Sequence, residues 1–159
     1  MTLSLAILAT QVGDALKQHR WKLATAESCT GGGLSYWITS IQGSSEWFDR
    51  GYVTYSNAAK IKMLGVPLQT INMFGAVSEE TAKAMASGVL QNSEAQMSIA
   101  ITGIAGPTGG TELKPVGTVC IAWATPTRLD ATHYLFEGDR EEIRLQSIRK
   151  AMEHLLNIL

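Results

Sequence analysis

The chain has 159 residues, 45% of them hydrophobic and 17% charged, with a formal net charge of −1. That length and mix predict one domain, residues 1–159, with a sizeable apolar core. The near-neutral charge, with no Lys/Arg cluster, excludes a nucleic-acid footprint but leaves room for a small anionic ligand, which needs only a cation or two and some backbone amides.

The apolar run at 3–9 has no basic residue ahead of it and passes straight into Gln11, Asp14 and Lys17, so it reads as neither a signal peptide nor a membrane span. Leu5, Leu8, Val12 and Leu16 recur at helical spacing and predict an amphipathic helix over 3–18. A mostly apolar central strand follows at 21–26, then a helix over 30–41 and a turn at Gly43-Ser44-Ser45. Residues 47–55 mix aromatic and β-branched side chains and predict a strand. Ser56-Asn57 starts a short helix over 58–64 that Gly65 and Pro67 stop, and 67–74 is a second short helix. Ser78, backed by Glu79 and Glu80, caps a helix to about residue 90.

Residues 97–101 are a short strand, and 102–115 form a loop with Gly103, Gly106, Gly109, Gly110, Pro107 and Pro115. Loops this long are uncommon unless they are functional. Strands at 116–124 and 132–136 are expected to run antiparallel across the connection 125–131. Asp139 and Glu142 have capping-box spacing, ahead of a last helix built on Ile148, Met152, Leu155 and Leu159. Early alternation of strands and helices with two adjacent strands late predicts an α/β chain, a three-layer α/β/α domain around a mixed sheet.

The stretch richest in chemistry is 25–33, Thr-Ala-Glu-Ser-Cys-Thr-Gly-Gly-Gly, at the junction of strand and helix. Glycine allows close backbone approach, and the first amides of a helix point outward without internal partners. A hydroxyl above such amides is placed to attack a carbonyl whose oxygen turns negative. Two accounts stand side by side: Ser28 as nucleophile, or Ser28 and Thr30 as mere helix caps.

A serine nucleophile needs a base. His19 ends the first helix, His133 lies in a late strand and His154 in the last helix, and none has the setting of a catalytic histidine. A lysine whose pKa is lowered by burial is the alternative. Tyr55-Ser56-Asn57-Ala58-Ala59-Lys60-Ile61-Lys62 offers a tyrosine and two lysines, but lysines two apart do not share a helix face. The 102–110 loop is neither a Walker A loop nor G-x-G-x-x-G, yet it is a plausible ligand cradle. Gly138-Asp139-Arg140 at a helix start is either a phosphate contact or a capped helix with an exposed arginine. Cys29 and Cys120, the only cysteines, lack any C-x-x-C or Cys/His spacing; no metal site is expected, and the pair reads as reduced thiols of a cytoplasmic protein.

The segments 25–32, 43–57, 75–78 (Gly-Ala-Val-Ser), 102–107 (Thr-Gly-Ile-Ala-Gly-Pro) and 114–119 (Lys-Pro-Val-Gly-Thr-Val), in this order, resemble the CinA C-terminal domain family, which includes stand-alone nicotinamide-nucleotide amidases. The resemblance covers nearly the whole chain. It implies a five-stranded mixed sheet, here expected to be mostly parallel. It also implies hydrolysis of the amide of nicotinamide mononucleotide to nicotinate mononucleotide and ammonia. By the same resemblance, Ser28 matches the nucleophile and Tyr55 and Lys60 the residues that activate it, with Lys62 outside the motif. Thr102, Gly103 and Gly106 match the substrate loop, and Arg140 a further site residue. Amides at Thr30, Gly31 and Gly32 are expected to stabilise the oxyanion. No cofactor is expected. The expected partner is a small pyridine nucleotide, with no direct nucleic acid or membrane contact, and the chain is expected to be a homodimer. Two rival readings use the same residues: a module that binds pyridine nucleotide without hydrolysing it, and a competence-related interaction protein.

Overall fold

The computed structural model describes residues 3–159. The Ser4 hydroxyl accepts from the Ile7 amide and starts α1 (Leu5–His19), which Arg20 ends in the left-handed conformation. There follow β1 (Leu23–Glu27), α2 (Gly33–Thr39), a one-turn 3-10 helix (Ser44–Glu46) and β2 (Phe48–Val53). Then come α3 (Asn57–Leu64), α4 (Leu68–Phe74), α5 (Glu79–Gln91), β3 (Met97–Gly103), β4 (Thr118–Thr125), β5 (Arg128–Leu135) and α6 (Arg140–Ile158).

The five strands form one sheet in the order β2-β1-β3-β4-β5. β1 is parallel to β2 and β3, whereas β3–β4 and β4–β5 are antiparallel. The expectation of a mostly parallel sheet is therefore corrected to an even mixture. A parallel return needs a crossover, usually helical. The segment between β3 and β4 carries no helix, and β4 and β5 close as a hairpin in which Thr125 pairs with Arg128. That hairpin also starts β5 at Arg128, four residues earlier than expected, because β4 is buried along its whole length and its ladder must be filled. α2 is shorter than expected at its front, starting at Gly33 instead of residue 30.

Alternation along the strands sorts the two faces. Leu23, Met97, Ile99, Ile101, Val119, Ile121 and Trp123 form a core of large side chains with α1, α2 and α6. The opposite face is made of Ala24, Ala26, Ala100, Cys120, Ala122 and Ala124, on which Met85 and Val89 of α5 pack. Small residues let α5 lie close, and α5 in turn seats α3: a Cβ on Gly88 would fall 2.1 Å from the Leu64 carbonyl oxygen. From β1 the chain crosses on the α2 face to β2, then returns on the α5 face to β3. The crevice outside the carboxyl ends of β1 and β3 is thus a topological switch point, where ligands bind in open α/β sheets. Among the described residues no helix is long and apolar enough to cross a membrane.

Candidate active site

Ser28 leaves β1 at this crevice. Its amide donates to the Ile101 carbonyl of β3 at 2.9 Å, which ties the turn to both strands, and its side chain is buried. Gly31 and Gly32 take φ of 57° and 101°, values that a residue with a Cβ rarely adopts, and so turn the chain into α2.

Lys60 comes from α3, which the Ser56 hydroxyl caps by accepting from the Ala59 amide. The side chain is 1% exposed, and Nζ lies 3.2 Å from Ser28 Oγ, 3.1 Å from the Thr54 carbonyl and 3.2 Å from the Tyr55 carbonyl. A protonated amine donates to all three. A neutral amine gives its two hydrogens to the carbonyls and turns its lone pair to Ser28. Burial pushes the Lys60 pKa below its ordinary value, against a smaller opposing effect of Cys29. Lys62 is exposed on the same helix. His19 bonds the Ala15 carbonyl within α1, His133 is exposed on β5, and His154 packs on Trp123 with ring centroids 4.1 Å apart. None of the three lines the crevice.

The crevice is a cleft of about 210 Å³ lined by Ser28, Cys29, Tyr55, Asn57, Lys60, Ala76, Val77, Thr102, Gly103, Ala105 and Arg140. Tyr55 faces Ser28 and Lys60 with its carbonyl. Its exposed hydroxyl accepts instead from Arg140 Nη2 at 3.3 Å, while Arg140 Nη1 donates to the Gly106 carbonyl at 2.7 Å. Arg140 thus bridges the segment after β2 to the glycine loop. The Thr102 hydroxyl donates to the Ala76 carbonyl and is buried. Gly103 lines the cleft, and a Cβ there would meet Cys29 Sγ at 3.0 Å and Val119 at 2.7 Å, so no larger residue fits without a shift. Gly106 has φ of 80°, and a Cβ would fall 2.4 Å from Val116 Cγ1.

Thr30, Gly31 and Gly32 are not part of the cleft wall. The Thr30 hydroxyl points inward and donates to Glu27 Oε1 at 2.6 Å. Of the three amides expected at the oxyanion, that of Gly31 donates to the Ser28 carbonyl; those of Thr30 and Gly32 have no protein acceptor among the described residues. Cys29 shares the cleft with Ser28, but burial and the nearby Glu27 push its thiol up to about 12, away from the nucleophilic thiolate.

Sequence reasoning assigned no role to Glu27, Cys29, Asn57, Ala76, Val77 or Ala105. Glu27 carried a usable signal, a carboxylate closing an otherwise apolar strand just before a turn of small polar residues. The alanines and Val77 carried no chemical signal of their own and stood out only as members of the 75–78 and 102–107 segments. Among the described residues no group of three or more His, Cys, Asp and Glu side chains is arranged to hold a metal ion.

Residues 5–159 match the family model described as the CinA C-terminal domain. Over 151 residues the chain is 46% identical to the nicotinamide-nucleotide amidohydrolase PncC of Pseudomonas putida, covering 95% of this chain and 94% of that protein. It is 49% identical over 148 residues to a CinA-like protein of Syntrophobacter fumaroxidans, 93% of this chain matching 35% of that protein's length. The crystal structure of a competence/damage inducible protein, CihA, from Agrobacterium tumefaciens superposes with a TM-score of 0.93 at 43% identity, covering 99% of both chains.

Proposed function

The chain belongs to the CinA C-terminal domain family, and we propose that it is a nicotinamide-nucleotide amidohydrolase whose nucleophile is Ser28 and whose base is Lys60. The observation that carries the reading is the buried Lys60 amine, 3.2 Å from Ser28 Oγ, with a pKa lowered by desolvation.

In the first half-reaction Ser28 Oγ attacks the carboxamide carbon and Lys60 takes the hydroxyl proton. The turn after Ser28 meets the tetrahedral oxyanion with its unbonded amides, since those of Ser28 and Gly31 are already given to the carbonyls of Ile101 and Ser28; Thr30 and Gly32, whose amides have no protein acceptor among the described residues, lie behind the cleft wall. Lys60 passes its proton to the amide nitrogen, ammonia leaves, and an ester of Ser28 forms. Water then attacks this ester, Lys60 accepts a proton from the water and returns it to Ser28, and the nicotinate carboxylate departs. The Tyr55 carbonyl orients the Lys60 amine; the Tyr55 hydroxyl acts on the far side, fixing Arg140. Arg140 and the loop around Gly103 and Gly106 take the ribose and phosphate. In this scheme Thr102 shapes the cleft through Ala76. We also place the enzyme in the cytoplasm as a homodimer, which light scattering tests.

The deciding experiment is ammonia release from nicotinamide mononucleotide. Turnover with formation of nicotinate mononucleotide supports the reading. Binding without turnover selects the non-catalytic nucleotide module instead.

A further inference from the structure

We propose that Glu27 is the positioning residue of the catalytic turn: through Thr30 and the first amides of α2, its carboxylate fixes Ser28 over Lys60 and closes the glycine turn to the anionic group of the substrate. The inference rests on the reading of Ser28 as nucleophile. Glu27 is wholly buried and touches neither Ser28 Oγ nor the cleft, so it has no direct part in proton transfer.

What it does touch is four donors. Oε1 accepts from Thr30 Oγ1 at 2.6 Å and the Leu34 amide at 2.8 Å. Oε2 accepts from the Ser35 amide at 3.0 Å and Ser35 Oγ at 2.9 Å. A carboxylate has about four lone-pair sites, and all are used. Ser35 Oγ also bonds Thr25 Oγ1, and a Cβ on Gly51 of β2 would fall 2.6 Å from Ser35 Oγ, so the network is packed from the sheet side. From the opposite side Arg144 of α6 donates to the Thr30 carbonyl at 3.2 Å. Thr30 is therefore gripped by its side chain and by its main chain, two residues after the nucleophile.

A glycine turn leading into a helix is ordinarily open to an anion, because its amides are free. Here the chain's own carboxylate occupies the Leu34 and Ser35 amides. The phosphate end of a nucleotide is turned away from the 31–35 segment, and the turn is left to the carboxamide.

Glu27→Gln keeps the size but sets an NH₂ group against donors that need an acceptor. The experiment measures kcat and KM with nicotinamide mononucleotide, the rate of Ser28 labelling by a fluorophosphonate, and the melting temperature. For folded Glu27→Gln, kcat and the labelling rate should fall about 10²-fold while KM stays within about twofold. Thr30→Val, which keeps the shape and loses one bond, should show the same split at smaller size. If Glu27→Gln does not fold, Thr30→Val alone decides. Normal kcat and labelling in the folded variants would overturn the proposal, and so would a raised KM with unchanged kcat, which would make the turn a substrate-binding loop. Wild-type protein that labels at Ser28 yet leaves the mononucleotide intact would refute the substrate reading and leave the labelling comparison to judge Glu27.

Discussion

Two glycine-rich segments flank the cleft, and they are built on opposite terms. The 28–33 turn is closed: Ser28 bonds Ile101, Gly31 bonds Ser28, Gly33 bonds Thr30, and a buried carboxylate takes the amides that follow. The 104–117 loop is open. Leu113 at its tip is 91% exposed, and the loop is tied by a handful of bonds, among them Gly117 to Ile104, Thr111 to Lys114, and Arg140 to Gly106. The same compositional signal thus marks a rigid platform in one case and an adjustable wall in the other. Platforms hold reacting atoms to fractions of an ångström, whereas segments with few buried contacts admit and release ligands. Damage to the turn should appear in kcat, and damage to the loop in KM.

The largest effect should come from the pair at the platform. Ser28→Ala and Lys60→Met should each lower turnover by about 10⁴-fold or more, with nucleotide binding by calorimetry retained. Substantial residual turnover in either variant would move the chemistry elsewhere. The pH profile sharpens the point. Below its lowered pKa Lys60 is protonated and cannot accept the serine proton, so kcat/KM should rise with pH through that value and then level. Lys62→Met, exposed on the same helix, should leave this profile in place; a profile that falls with pH over the same range would exclude Lys60 as the base.

The wall should give intermediate effects. Arg140 bridges the Tyr55 hydroxyl and the Gly106 carbonyl with two separate nitrogens, a fork that lysine cannot reproduce. Arg140→Lys should therefore raise KM about 10-fold, or about 1.4 kcal/mol, with a much smaller change in kcat. Gly106→Ala forces a Cβ into Val116 at a positive φ and should cost more than about 1 kcal/mol of stability, with KM again the more affected constant. If either change acted on kcat alone, the division of labour between turn and loop would be wrong.

How far these regions could be read from the residues follows the same division. Periodicity, caps and composition located the six α-helices and five strands, while the one-turn 3-10 helix at Ser44–Glu46 was read as part of a turn. The residues alone left Ser28 as nucleophile or cap and pointed to a lysine base because the histidines lie elsewhere; only the family resemblance singled out Ser28, and Lys60 over Lys62. The antiparallel β4–β5 pair was legible, but the direction of β4 against β3 was not, since it depends on whether a crossover helix joins them, and glycines alone do not say. Thr30 was expected to offer its amide to the oxyanion, with its side chain left as a possible helix cap. Its inward turn depends on Glu27, whose partners Leu34 and Ser35 are seven and eight residues away and adjacent only once α2 has formed. The far wall, Ala76 and Val77, reaches the cleft only because α5 lies close on the small-residue face of the sheet.

The smallest effect should come from the residue that looks most reactive. A thiol is intrinsically a better nucleophile than a hydroxyl, and Cys29 lies in the same cleft as Ser28. It is nonetheless buried, faces Gly103, and has its pKa pushed up to about 12 by burial and by Glu27. At pH 8 the thiol is held in its protonated, weakly nucleophilic form. Cys29→Ala should therefore change kcat/KM by no more than about threefold and stability by about 1 kcal/mol, the latter through the small void it leaves. Iodoacetamide at pH 8 should modify native enzyme far more slowly than unfolded chain. If Cys29→Ala abolished ammonia release while Ser28→Ala spared it, the nucleophile would be the sulfur and the platform would serve the neighbouring residue.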